Sequence, residues 1–125
     1  MGKKNNPAPS EILSDIVVKG MQEKKASNIT VMDLRQVKNA VADFFVICSG
    51  NSDTQLDAIA ESVDNEVSKQ LAQNPWHREG TQNKEWVLLD YVDVVAHIFK
   101  PDKRKFFGLE NMWGDATIHQ IEDVA

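Results

Sequence analysis

Asp90, Asp93 and His97 lie within one short stretch of the chain. Two carboxylates and an imidazole are donor types that can hold a divalent cation, so this trio is the first candidate for chemistry. Its specificity is low, because such trios arise by chance in acidic segments. The three histidines, His77, His97 and His119, have no pair at metal-ligand spacing and no cysteine cluster beside them, which argues against structural zinc. A second candidate is Ser49-Gly50-Asn51-Ser52, a sharp turn that opens a helix and so could hold an anion at a helix N-terminus. It lacks the Gly-x-x-x-x-Gly-Lys pattern and any adjacent basic residue, and Asp53 would repel phosphate. As a capped strand-to-helix turn it needs no ligand. Cys48 has no neighbouring base and reads as a small core hydrophobe. Lys100, Lys103, Arg104 and Lys105 beside Phe106 and Phe107 could touch RNA phosphates, but a solvated helix start is the commoner meaning of such a cluster.

These groups need elements to position them. Residues 1–9, with two Lys, two Asn and two Pro, read as a loose tail. Ser10 is the expected N-cap of a first helix, with Ile12, Leu13, Ile16, Val17 and Met21 at helical spacing. Gly20 weakens that helix by about 1 kcal/mol relative to Ala. A short strand is expected over 29–34. The run Phe44-Phe45-Val46-Ile47-Cys48 is a strand covered on both faces. Ser52 and Gln55 form a capping box for a helix whose apolar stripe is Leu56, Ile59, Ala60, Val63, Val67 and Leu71. Asn74-Pro75 ends it. After a short segment over 76–80, strands follow over 85–90 and 93–99, with helical turns over 102–113 and a frayed end from Thr117. The order is that of an α/β fold with a mixed sheet.

The hairpin over 85–99 sorts its residues by face. If Tyr91 and Val92 form a two-residue turn, paired positions sum to 183, which sets Trp86 opposite His97, Leu88 opposite Val95 and Asp90 opposite Asp93. Those six share one face. Val87, Leu89, Val94, Ala96 and Ile98 fill the other, which is entirely apolar and reads as core. Like charges opposite each other are mildly destabilising, so a carboxylate pair there is either solvated or bound to something positive. Trp86 on the same face is typical of a binding hot spot. The competing reading lays Trp86 beneath the C-terminal helices, with Phe106 or Trp113 as cover.

The chain of 125 residues is one domain with room for a real core. No run approaches the ~20 apolar residues of a membrane span, and no signal peptide is visible, so the cytoplasm is the expected compartment. The net charge is −5, divided as +2 over residues 1–50 and −7 over residues 51–125. A broad basic face for nucleic acid is therefore disfavoured. An acidic chain can still reach a ribonucleoprotein by docking on a basic protein component.

Three segments jointly resemble the ribosomal silencing factor, or Iojap, family. They are Ala42 through Ser52 (ADFFVICSGNS), Glu85 through Phe99 (EWVLLDYVDVVAHIF) and Leu109 through Ala116 (LENMWGDA). The resemblance covers residues 10–116 and leaves 1–9 and 117–125 as tails. It implies a nucleotidyltransferase-like α/β fold, a mixed β-sheet flanked by helices in a single domain, without transferase activity and without a cofactor. It further implies binding to large-subunit ribosomal protein fourteen on the intersubunit face, blocking the small subunit and repressing translation under starvation. Carried onto this chain, the family's binding face nominates Trp86, Asp90, Asp93 and His97, with Tyr91 and Val94 nearby. Direct nucleic-acid contact is expected to be minor, and a homodimer off the ribosome is an open alternative. Many members read Asp-x-Gly-Asp at the turn where this chain has Val92, and a β-branched residue resists positive φ. Either the turn is not a primed type or the loop is longer. The rival class is an enzyme using Asp90 and Asp93 as metal ligands after the Ser49-Gly50 turn. It is disfavoured, because the acids straddle a turn and no Lys or Arg lies between Lys84 and Lys100.

Overall fold

The computed structural model describes residues 7–108 and 114–123. The elements are α1 (Pro9–Glu23), β1 (Ser27–Asp33), β2 (Phe44–Ser49), α2 (Asp53–Leu71), β3 (His77–Glu79), β4 (Trp86–Asp90), β5 (Val94–Phe99), α3 (Pro101–Phe107) and β6 (Thr117–Gln120). They form one α/β unit around a six-stranded sheet of order β3-β4-β5-β2-β1-β6. Only β2 and β5 pair in parallel, and the other neighbours are antiparallel. No helix among the described residues is long and apolar enough to cross a membrane.

Both faces of the sheet are covered. Odd and even positions of the central strands alternate between two apolar clusters. Val46, Cys48, Val87, Leu89, Val94, Ala96 and Ile98 meet Leu13, Val17, Met21, Leu56, Ile59, Val63 and Val67 of α1 and α2 on one side. Met32, Leu34, Phe45, Ile47, Val95 and Phe99 fill the smaller cluster on the other. This is why 44–48 is apolar at every position, and why burial pushes the Cys48 thiol well above its usual range.

Glycine at position 20 is a packing requirement. A Cβ there would sit 2.7 Å from Val63 Cα, and the Ser62 hydroxyl donates to the Gly20 carbonyl at 2.7 Å. The α1–α2 crossing is thus as close as two backbones allow, which outweighs the helix-propensity loss.

Three expectations are corrected. Ser10 does not cap α1. Pro9 is its first residue, where a missing N–H costs nothing, and the Glu11 carboxylate accepts from Ala8 N–H at 2.7 Å, leaving Ser10 buried inside the helix. At α2, Ser52 Oγ accepts from Gln55 N–H as expected, but the Gln55 amide oxygen takes Asn51 N–H instead of the cap's own, and its Nε2 donates to the carbonyls of Lys24 and Lys25. Residues from Thr117 do not fray at once, because Thr117–Gln120 pair antiparallel with β1 as an edge strand. Gln120 Oε1 accepts from Thr30 at 3.2 Å, and the Asp123 carboxylate accepts from Asn28 N–H at 3.0 Å. Helical turns were expected over 102–113; α3 accounts for the first part, and 109–113 lie outside the described residues.

Candidate functional site

Strands β4 and β5 meet with partner numbers that sum to 185, not 183. Trp86 faces Phe99, Leu88 faces His97 and Asp90 faces Val95. The loop residues are Val92 and Asp93, closed by Tyr91 N–H to the Val94 carbonyl at 2.9 Å and Asp93 N–H to the Tyr91 carbonyl at 3.0 Å. The sum moves by two, so every strand side chain keeps its face, while Asp93, expected opposite Asp90, lies in the loop instead. Trp86, Leu88, Asp90, Val95, His97 and Phe99 lie on the side of the smaller cluster, and Tyr91 and Val94 lie on the helix side.

That smaller cluster holds the Trp86 ring. The indole stacks on Phe99 at a centroid distance of 5.0 Å, and its Nε1–H donates to His97 Nδ1 at 3.0 Å. Phe45 meets the imidazole edge-on at 4.7 Å. His97 is buried, and loss of water alone pushes its pKa down to about 3, so the ring is neutral. With Nδ1 accepting, the proton sits on Nε2, which has no partner among the described residues. Trp86 is thus half-buried and structural in part, packed on Phe99 and His97 of β5, while the expected cover by Phe106 or Trp113 lies outside the described side chains.

The tip is different. Asp90 Oδ1 accepts from Val92 N–H at 2.7 Å, and the Asp90 carbonyl accepts from Trp76 N–H. The Asp93 carbonyl accepts from both Asp43 and Phe44, which fastens the tip to the 34–43 loop. Val92 has φ +78°, a left-handed conformation that β-branched residues avoid. The departure from glycine noted in the sequence is therefore met by strain in a two-residue loop. Between the tip and the 34–43 loop runs a groove of about 250 Å³ that includes Leu34, Val41, Asp43, Val92 and Asp93. Val41 and Trp76 are each 73% exposed and Val92 is 57% exposed.

Of the six nominated residues, Asp93 is exposed at the tip, Asp90 and Trp86 are half-buried, and Tyr91, Val94 and His97 are buried. Burial and the Asp64 carboxylate push the Tyr91 hydroxyl well above its usual range. The metal trio does not assemble: His97 points into the aromatic cluster, and among the described residues no group of His, Cys, Asp and Glu gathers as a metal site. The rival enzyme constellation is also separated. Ser49 pairs with Phe99 at one end of the sheet, whereas Asp90 pairs with Val95 at the other, about 13 Å away along the strands.

The Ser49–Ser52 turn is less bare of cations than its sequence suggested. Arg104 donates to Ser49 Oγ at 3.2 Å, to Thr30 Oγ1 at 2.8 Å and to the Asn28 carbonyl at 2.6 Å, and Lys100 meets Asp53 at 2.5 Å. These cations close the turn onto β1 and α3. The hydrogen bond from Lys100 holds the Asp53 carboxyl below its ordinary range.

Residues 7–125 match the family described as "Ribosomal silencing factor during starvation". The chain belongs to the ribosomal silencing factor family. It is 36% identical to ribosomal silencing factor RsfS of Halalkalibacterium halodurans over 112 residues, covering 90% of this chain and 94% of that protein. It is also 36% identical to the maize chloroplastic protein Iojap over 101 residues, which is 81% of this chain and 43% of that longer protein. Among solved structures, a Chromobacterium violaceum protein superposes with TM-score 0.79 at 25% identity, covering 86% of this chain and 88% of that one. A Bacillus halodurans protein superposes with TM-score 0.72 at 31% identity, covering 91% and 97%.

Sequence reasoning passed over Val41, Val92 and Trp76 as surface groups. Val41 sits in a polar connector and Trp76 follows the helix-ending Pro75, so neither belongs to a periodic pattern. The available signal was a large apolar residue in a segment with no strand or helix to bury it.

Proposed function

We propose that this silencing factor acts without catalysis. It docks on the intersubunit face of the large ribosomal subunit through ribosomal protein fourteen, sterically blocks the small subunit and represses translation in the cytoplasm under nutrient limitation. Family membership supports the ribosomal setting. The observation that carries the docking is the hairpin tip, where exposed Val92 is bonded to the Asp90 carboxylate and shares a groove with Asp43 and Asp93, the Arg35 guanidinium of that groove being paired with Asp33 and Glu11. An acidic rim around an apolar centre suits a basic protein better than a phosphate backbone. In this reading Asp90 and Asp93 meet the partner. Trp86 and His97 stiffen the hairpin from one face, and Tyr91 and Val94 anchor its tip from the other. The test is reconstitution from purified subunits. Saturating protein should co-sediment with large subunits only and lower the yield of joined ribosomes; normal joining at saturation would refute the reading.

A further inference from the structure

We infer that Val92 is an affinity-determining residue of this chain, presenting its isopropyl group beside Val41 to a basic protein surface of the large subunit. The inference deepens the docking reading above and rests on it.

Three observations converge on Val92. First, its conformation opposes its side chain. A β-branched residue at φ +78° is strained, and glycine would fit there without strain. Second, the fold gains little from the side chain, which is 57% exposed and belongs to neither apolar cluster. Third, the group is held firmly in place. Asp90 Oδ1 takes its N–H at 2.7 Å, hydrogen bonds close the loop on both sides, and the Asp93 carbonyl ties the tip to Asp43 and Phe44.

The setting identifies the occupant. Val92 and Val41 line the same groove, together with Leu34, Ala40 and Ala42. Asp43 and Asp93 line that groove and Asp90 is bonded to Val92, while Arg35, which also lines it, has its guanidinium taken up by the Asp33 and Glu11 carboxylates. A small apolar centre with an acidic rim complements a surface that offers aliphatic stems ending in positive charge, which is how Lys and Arg side chains meet proteins. Because the tip is already ordered, little further conformational freedom is lost on docking.

The experiment pairs thermal unfolding with co-sedimentation on purified large subunits, using full-length wild type, Val92→Gly and Val92→Thr. Val92→Gly releases the strain and removes the contact, so it should melt a few degrees higher yet bind about tenfold more weakly. Val92→Thr keeps the β-branched backbone and exchanges a methyl for a hydroxyl. It should melt near wild type and bind severalfold more weakly. Wild-type affinity in Val92→Gly overturns the inference. So does full affinity in Val92→Thr alongside loss in Val92→Gly, since the loss then comes from backbone freedom at the tip. If wild type itself fails to bind large subunits, the docking reading falls and this inference with it. If wild type binds and Val92→Gly binds equally, only the inference falls.

Discussion

The indole Nε1–H of Trp86 donates to Nδ1 of His97 across 3.0 Å, so β4 and β5 share one polar bond inside an apolar cluster. It fixes the imidazole as a neutral acceptor at a position where a charged ring would have no water.

Stability should therefore depend on pH. The folded His97 pKa is about 3, and the ordinary value is 6.5. Between those values the unfolded chain takes up a proton that the folded chain refuses, so stability falls as pH drops, by up to about 1.4 kcal/mol per unit. Asp33 acts lower down. The hydrogen bond from Arg35 holds its carboxyl below the ordinary 3.8, so its contribution is present above that pH and is lost as pH falls further. Urea unfolding from pH 7 to pH 5 isolates the histidine, since the Asp33 and Asp53 carboxylates stay ionised there. His97→Gln retains an acceptor for Trp86 and should flatten the slope; a wild-type midpoint that ignores pH would mean the folded ring is charged.

Gly20→Ala should destabilise the fold by about 2 kcal/mol or more, although alanine is the better helix former by about 1 kcal/mol. The added methyl meets Val63 Cα at 2.7 Å, and neither helix backbone can yield without parting from the sheet. Denaturant midpoints decide the sign.

Asp93→Lys and Val94→Asp separate surface from core across one peptide bond. Asp93 is exposed, so its reversal should change stability by no more than about 0.5 kcal/mol while weakening large-subunit binding about tenfold. Val94 is fully buried on the helix side, and an unpaired carboxylate there should unfold the protein. Circular dichroism and co-sedimentation read the two effects.

Ending the chain after residue 116 should cost about 2 kcal/mol and promote self-association. It removes β6 and its bonds to Thr30 and Asn28, which bares the β1 edge for another strand. Light scattering against concentration, with denaturant unfolding, would detect both; a monomer of wild-type stability would show β6 to be dispensable.

Much of this was legible in the residues. The unbroken apolar run at 44–48 announced a strand covered twice, and alternation along 86–99 sorted the hairpin faces correctly. The register was less legible. It turned on whether Val92 would accept positive φ, and local preference argues against that. The Asp90 carboxylate and the Asp93 carbonyl override the preference by bonds invisible in a propensity. Strand β6 escaped because all four of its residues are exposed and carry no apolar period; its reason to exist is the open edge of β1. The nominated residues all fall on the β4–β5 hairpin, but their spacing did not tell exposed positions from buried ones. Tyr91, Val94 and His97 lie inside the protein, whereas Asp93 is exposed and Asp90 half-buried at the tip.

The parallel pairing of β2 with β5 also governs how the chain can fold as it is made. The β1–β2 pair can close as soon as residue 49 is available, but β2's other neighbour is not complete until Phe99. At roughly 5–20 residues per second, the open edge of an all-apolar strand waits some 2–10 s for its partner. The local hairpin of β4 and β5 zips within microseconds once synthesised. Ribosome-bound chains paused in that interval hold a bare β2 edge, so the nascent protein is most exposed to mispairing just before its β4–β5 hairpin is complete.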